Sequence, residues 1–119
     1  MEREKSYEIW GVLAAVILGL VLRLIPARNA LAGGEIAFYS CDSFYHLRRI
    51  FYTVENFPST LWFDSYLNHP HGFGLTWPPL FDQILAAFSL LLGGSPRAIE
   101  VTGAVIPPIL GSLMIIVLY

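Results

Sequence analysis

Residues 101–119, VTGAVIPPILGSLMIIVLY, run for 19 positions without one charged side chain. At about 1.5 Å of rise per residue such a helix reaches about 28 Å, close to the roughly 30 Å hydrocarbon thickness of a bilayer. Pro107 and Pro108 interrupt the hydrogen-bond ladder and predict a kink, which a bilayer tolerates where neighbouring helices cover the freed carbonyls. A second run, residues 9–25, is apolar for 17 positions apart from Arg23. Arg23 stands one turn from its end, where the long stem is expected to reach the headgroups. Such runs in a chain of 119 residues, 55% hydrophobic and 13% charged, with mean hydropathy +0.60, predict an integral membrane protein. A cleaved signal peptide is the competing reading of residues 9–25, because Arg3 and Lys5 precede the run. The run is long for that role, and the Ala-X-Ala match at residues 30–32 is loose, so a retained helix is expected.

Residues 77–94, WPPLFDQILAAFSLLLGG, read as a further helix. Pro78 and Pro79 suit its first turn and Gly93-Gly94 its exit. Asp82 then lies in the first turn, close to the interface, where the helix dipole favours an acid, and a structural capping role stands beside a functional one for it. The expected fold class is an all-α membrane protein with about three transmembrane helices: a tail over 1–8, spans over 9–25, 77–94 and 101–119, and a turn over 95–100. The last span ends with the chain at Tyr119 and reads as cut short. Arg3 and Lys5 before the first span and Arg97 in the turn place both on the cytoplasmic side by the positive-inside tendency. The long loop 26–76 is then external. No internal repeat or low-complexity segment is present.

Nine acids and seven bases leave a net charge of −2, so the chain lacks the basic surface that nucleic acid requires. Cys41, the single cysteine, makes neither an internal disulfide nor a CxxC site. What charge there is gathers in CDSFYHLRRIFYTVENFP, residues 41–58. Apolar residues recur there at Phe44, Leu47, Ile50, Phe51, Val54 and Phe57, predicting an amphipathic helix over about 43–57 that lies on the membrane surface or beneath other parts of the protein. Asp42 falls at its N-cap, a common place for aspartate. His46, four residues on, shares its helix face, so an Asp-His metal pair is geometrically possible but lacks further ligands. Arg48 and Arg49 read as interfacial side chains pairing with lipid phosphates. Downstream, FPSTLWFDSYLNHPHGFGLTWPPL is too rich in proline and glycine for a long helix and predicts an ordered surface loop. His69 and His71 flank Pro70 at a spacing able to meet a phosphate or a metal, or simply solvent.

The order of these pieces resembles a known family. An acid heading DSFYHLRR, then FPSTLWFDSYLNHPHG, then WPPLFD before a helix is similar to the amino-terminal part of the catalytic subunit of oligosaccharyltransferases, in its archaeal form. The likeness runs from about Gly33 to Gln83 and extends in hydropathy to both ends. Several motifs in one order make it specific.

The resemblance implies a GT-C-type transmembrane domain and a reaction. These enzymes transfer a glycan from a lipid-linked phosphate or pyrophosphate donor to the side-chain amide of Asn in an Asn-X-Ser/Thr sequon of an acceptor protein, at the external face of the membrane. Asp42 matches the family's acid in the first external loop, which binds Mn²⁺ or Mg²⁺ beside the acceptor amide. Such a carboxylate suits a hard divalent cation, and hydrogen-bonded to the amide N–H it can loosen the resonance that makes amide nitrogen a poor nucleophile. His71 matches a histidine near the donor phosphate. His69 stands where the family more often has an aromatic and inherits no role. The family's second acidic motif, its later catalytic acid and its soluble Trp-Trp-Asp domain fall beyond Tyr119, so the chain is expected to be an amino-terminal piece, inactive alone. Two other classes remain open on sequence: another membrane glycosyltransferase using a polyprenyl-phosphate sugar, distinguished by the absence of a sequon-binding domain, and a small non-catalytic membrane subunit, distinguished by indifference to loss of Asp42.

Overall fold

A computed structural model of the chain describes residues 2–28, 32–38 and 40–119, with side chains from residue 7 onward. Ala30 and the side chains of Arg3 and Lys5, used above, lie outside the described residues. The described chain is mostly helical: α1 (Glu2–Leu24), α2 (Cys41–Asn56), α3 (Leu80–Leu91) and α4 (Pro96–Leu118), with a two-stranded antiparallel hairpin, β1 (Phe63–Asp64) and β2 (Phe73–Gly74), between α2 and α3. It divides into two compact units, residues 1–36 with 104–119, and residues 37–103.

In the first unit two stretches are long and apolar enough to cross a membrane, Tyr7–Leu24 and Pro96–Leu118, the latter beginning in the second unit. The Tyr7–Leu24 window leaves large apolar side chains exposed, among them Ile9, Trp10, Ile17 and Leu22, so they are left for an apolar environment outside the chain. The polar start of the chain is continuous with the helix, since α1 begins at Glu2. Glycine sets the packing between α1 and the second half of α4. A Cβ at Gly19 would stand 3.0 Å from Ile115 Cδ1, closer than packed side chains normally come, and small residues are what let such helices approach. Arg23 is exposed near the end of α1 and turns back along it. Its Nη1 donates to the Gly19 carbonyl at 3.3 Å, one turn back, and a Cβ at Gly111 would meet its Nε at 3.4 Å. The glycine-lined surface leaves room for the arginine stem and offers it a carbonyl acceptor.

α4 starts at Pro96, so the expected turn over 95–100 is mostly the first turn of that helix. Proline is suited there because the first helical N–H groups have no intrahelical partner. The helix continues through Pro107 and Pro108. Farther on, Ser112 Oγ donates to the Pro108 carbonyl at 2.8 Å, a back-bond common for serine in apolar helices.

The second unit is built on α2 against α3. α2 buries Leu47, Arg49, Ile50 and Thr53, and α3 buries Asp82, Leu85, Ala86 and Ser89, an i, i+3, i+4, i+7 face in the latter. α3 covers 12 residues, about 18 Å of helix, shorter than the apolar stretch 77–94. Pro79 takes its N-cap position without a side-chain hydrogen bond. Trp77 and Pro78 precede it, because proline disfavours helical backbone in the residue before it.

The hairpin pairs Phe63 with Gly74 and Asp64 with Phe73, and Leu75 N donates to Trp62 O at 2.8 Å to extend it. Its turn carries Asn68, His69, Pro70 and His71. Gly72 closes the turn at φ +75°, and a Cβ there would run into the Phe63 ring. Both the left-handed backbone and the ring contact require glycine. Gly72→Ala is therefore expected to loosen the hairpin at a cost of about 1–3 kcal/mol, read as faster proteolysis within residues 65–73 and a lower melting temperature of the detergent-solubilised chain.

Candidate functional site

The charged stretch that opens α2 is capped by Ser40, not by Asp42. Ser40 has extended backbone (φ −119°, ψ 148°) and its Oγ accepts from Ser43 N at 3.1 Å. The helix thus starts one residue before Asp42, which moves into the first turn, where a negative charge is favoured by the dipole. Asp42 is exposed, and among the described residues it takes part in no hydrogen bond or ion pair.

The other two aspartates of the chain are treated differently. Asp64, buried on β1, accepts from Arg48 Nε at 2.9 Å and Nη2 at 3.1 Å, and from Tyr66 N at 2.9 Å. Arg48 in turn lies over the Tyr66 ring, 4.3 Å from its centre, so the fork is stacked as well as bidentate. Asp82 is 0% exposed. Its Oδ1 lies 2.7 Å from His46 Nδ1, and its Oδ2 lies 3.0 Å from Arg49 Nη1, whose side chain is also 0% exposed. The second contact is an ion pair without hydrogen-bond alignment, since Arg49 Nη1, Arg49 Nε and Asp82 Oδ2 have no directed partner. Arg49 Nη2 donates to the Trp77 carbonyl at 3.4 Å. The His46 ring stacks on Trp77 at 6.3 Å and meets Phe81 edge-on at 5.2 Å, and Tyr45 meets Trp77 edge-on at 5.1 Å.

These contacts join two sequence motifs, YHLRR on α2 and WPPLFD at the start of α3, and correct three expectations. Arg49 is not an interfacial side chain for lipid phosphate, because its charge is matched by Asp82. Arg48 likewise faces Asp64. His46 pairs with Asp82 rather than forming a metal pair with Asp42, and Asp82 is part of the α2–α3 interface rather than a simple cap. The signal for this cluster is present in the sequence: Arg49 lies on the apolar face of α2, and Asp82 lies on that of α3 with Leu85, Ala86 and Ser89. Opposite charges on two apolar faces call for each other.

Asp42, His46, Arg49 and Thr53 follow the spacing i, i+4, i+7, i+11, so Asp42 prolongs the stripe that grips α3, one turn beyond the last contact. His71 sits exposed at the hairpin turn, its backbone N–H donating to Asn68 O at 3.0 Å; no side-chain interaction joins it to Asp42. An open groove of about 420 Å³, lined by Arg48, Phe51, Tyr52, Glu55 and Leu61, lies on the opposite side of α2 from Asp42 by helical spacing. The free carboxylate of Asp42 has the right chemistry for a hard divalent cation. No group of three or more His, Cys, Asp or Glu is placed to hold a metal ion among the described residues, so Asp42 fits as one ligand of a site that these residues do not complete.

The fold and the site together define a mostly helical chain with two helices able to span a membrane and, among the described residues, one exposed and unpaired aspartate beside two that are buried and paired. Comparison with known proteins places relatives beside it. The chain is 38% identical over 105 residues to dolichyl-phosphooligosaccharide-protein glycotransferase 2 of Archaeoglobus fulgidus, and 34% identical over 108 residues to glycotransferase 1 of the same organism. It is 34% identical over 117 residues to the dolichyl-monophosphooligosaccharide–protein glycotransferase AglB of Haloferax volcanii. These matches cover 87%, 90% and 91% of the chain, but 17%, 17% and 11% of the relatives. The resemblance to archaeal oligosaccharyltransferases drawn from the ordered motifs is thereby borne out, and the chain spans about one-sixth or less of the length of these proteins. No protein-family profile and no solved structure matches it.

Two outcomes follow from the buried groups. Arg49→Ala strands the Asp82 carboxylate beside His46 alone, and an unmatched buried charge of this kind costs about 3–5 kcal/mol; chemical unfolding in detergent measures it. Tyr45 Oη is buried without a partner, so Tyr45→Phe is expected to leave stability unchanged or raise it. The Tyr45 hydroxyl is held above its ordinary value of 10.0, by burial first and the Asp64 carboxylate next, against the opposing Arg49 and Arg48 charges. Stability that depends on the protonated phenol is intact below that ordinary value and is lost as pH rises through the raised one. In a pH series of melts, Tyr45→Phe should remove that part of the alkaline decline.

Proposed function

We propose that this chain is the membrane-inserted and first-loop part of an archaeal-type oligosaccharyltransferase, and that Asp42 is one of its functional acids. One observation carries the reading. Of the three aspartates, Asp64 and Asp82 are buried and paired, while Asp42 is exposed and unpaired within a chain similar along most of its length to dolichyl-phosphooligosaccharide-protein glycotransferases. A carboxylate left free where the other two aspartates are matched is available to a ligand.

In this reading the enzyme moves a glycan from a lipid-linked phosphate or pyrophosphate to the amide nitrogen of Asn in an Asn-X-Ser/Thr sequon. Asp42 accepts a hydrogen bond from the acceptor amide, weakening its resonance, and offers a carboxylate oxygen to a divalent cation whose remaining ligands lie outside these residues. Mn²⁺ or Mg²⁺, when bound, would neutralise charge on the departing phosphate. His71, exposed at the hairpin turn, contacts the donor phosphate. The GT-C-type arrangement belongs to the same reading: α1 and α4 cross the membrane, the apolar α3 enters it as a shorter span, and residues 26–76 stand on the external face. Support for that orientation comes from Arg3, Lys5 and Arg97.

In the complete membrane enzyme that contains this chain, Asp42→Ala should abolish glycan transfer to a sequon peptide and weaken Mn²⁺ binding, and His71→Ala should raise the donor KM. The isolated 119-residue chain should transfer nothing. Full transfer by an Asp42→Ala enzyme would refute the assignment and favour a non-catalytic subunit.

A further inference from the structure

The exposed aspartate has nothing of its own to hold it in place. Its position follows from the α2 backbone, and α2 is fixed at two points near it. The first is the Ser40 cap, where Ser40 Oγ accepts from Ser43 N and lies 2.8 Å from Ser43 Oγ. The second is Asp82, which takes His46 with Oδ1 at 2.7 Å and Arg49 with Oδ2 at 3.0 Å. His46 and Arg49 are four and seven residues after Asp42, about 6 and 10 Å along the helix and on the same stripe.

We propose that Asp82 is a positioning residue for the reaction: through His46 and Arg49 it fixes the roll and height of α2 against α3, and so the place at which Asp42 presents its carboxylate. This rests on the reading of Asp42 as a functional acid. A hydrophobic contact alone would tolerate sliding and rotation, because it is not directional. A single buried carboxylate gripping two side chains one turn apart does not, since displacement separates a buried ion pair and breaks a hydrogen bond at once. His46 is held further by Trp77 and Phe81, and Arg49 by the Trp77 carbonyl, so the WPPLFD turn contributes ring, carbonyl and carboxylate to the same grip. The side chain of His46 keeps 34% exposure. Its Nδ1 is taken up by Asp82, and in the neutral ring that fixes the tautomer with Nδ1–H donated and Nε2 as the acceptor.

The test uses the complete enzyme with two variants. Asp82→Asn keeps the shape and an acceptor for His46 but removes the charge that matches Arg49. His46→Gln keeps a donor and leaves the Arg49–Asp82 pair. Each is expected to lower kcat about 10- to 100-fold, with the acceptor KM changed far less, as for loss of a group that orients a reacting one. Mn²⁺ affinity, read by electron paramagnetic resonance on enzyme without substrates, should weaken about 10-fold. A merely structural role would lower the melting temperature and leave both quantities unchanged per folded molecule. If Asp82→Asn yields no folded enzyme, His46→Gln alone decides, by the same two readouts. Wild-type kcat and Mn²⁺ affinity in the folded variants, where Asp42→Ala has abolished transfer, overturn the positioning role. Transfer that survives Asp42→Ala overturns the functional reading beneath it instead.

Discussion

The polar segment between the membrane-length helices depends on one buried charge, the Asp82 carboxylate, and on its two partners from α2. Removing Asp82 and Arg49 from water costs several kcal/mol for each ion, and only close approach between them offsets it. The consequence is specificity more than stability. Leu47, Ile50 and Thr53 would let α2 rest on Leu85, Ala86 and Ser89 in several registers, whereas the carboxylate is satisfied only where His46 and Arg49 both reach it. The Trp77 carbonyl and ring complete the same knot, so the turn before α3 and the middle of α2 are ordered by one set of contacts.

Arg48 and Asp64 repeat this logic on the neighbouring side of α2. Adjacent arginines point about 100° apart on a helix, so Arg49 can turn to α3 while Arg48 turns to the hairpin. The Arg48 fork ties the first strand to α2, and Gly72 lets the return strand approach the Phe63 ring. The hairpin that carries His69 and His71 is thus tied to α2 by a bidentate pair at Asp64, the last residue of β1, and closed by a glycine turn. Segments rich in proline and glycine usually lack such anchors, and here two charged side chains provide them.

Much of this fold is legible in the sequence because it rests on local pattern. The uncharged run over 101–119 and the apolar run over 9–25 declare membrane-length helices by length and charge alone, and the stripe of Leu47, Ile50 and Val54 declares α2. What local pattern misses is any choice made by a distant partner. Ser40 takes the cap two residues before Asp42, a difference within the usual uncertainty of helix ends. Arg23 folds back because Gly19 and Gly111 leave a surface for it, which hydropathy does not see. Arg49 looks interfacial since arginine is seldom buried, and its partner stands 33 residues later. Asp82 looks like a cap for the same reason.

The distribution of pairing adds to Asp42 what its spacing alone does not show. From spacing alone, an aspartate at a helix start is a cap, and its chemistry is silent. Once Ser40 takes the cap and Asp64 and Asp82 are seen to be consumed by arginines, Asp42 becomes the one aspartate whose charge the fold does not use. A chain with so few charges holds two of its aspartates in matched pairs, the Arg49–Asp82 pair fully buried, and leaves the third at the free end of the stripe that Asp82 grips. Its place in the first turn of α2 suits a negative charge, and α2 is gripped through His46 and Arg49 one and two turns on. A free carboxylate on a gripped helix is suited to the recognition of a cation or an amide N–H, and it is the residue that the ordered motifs single out.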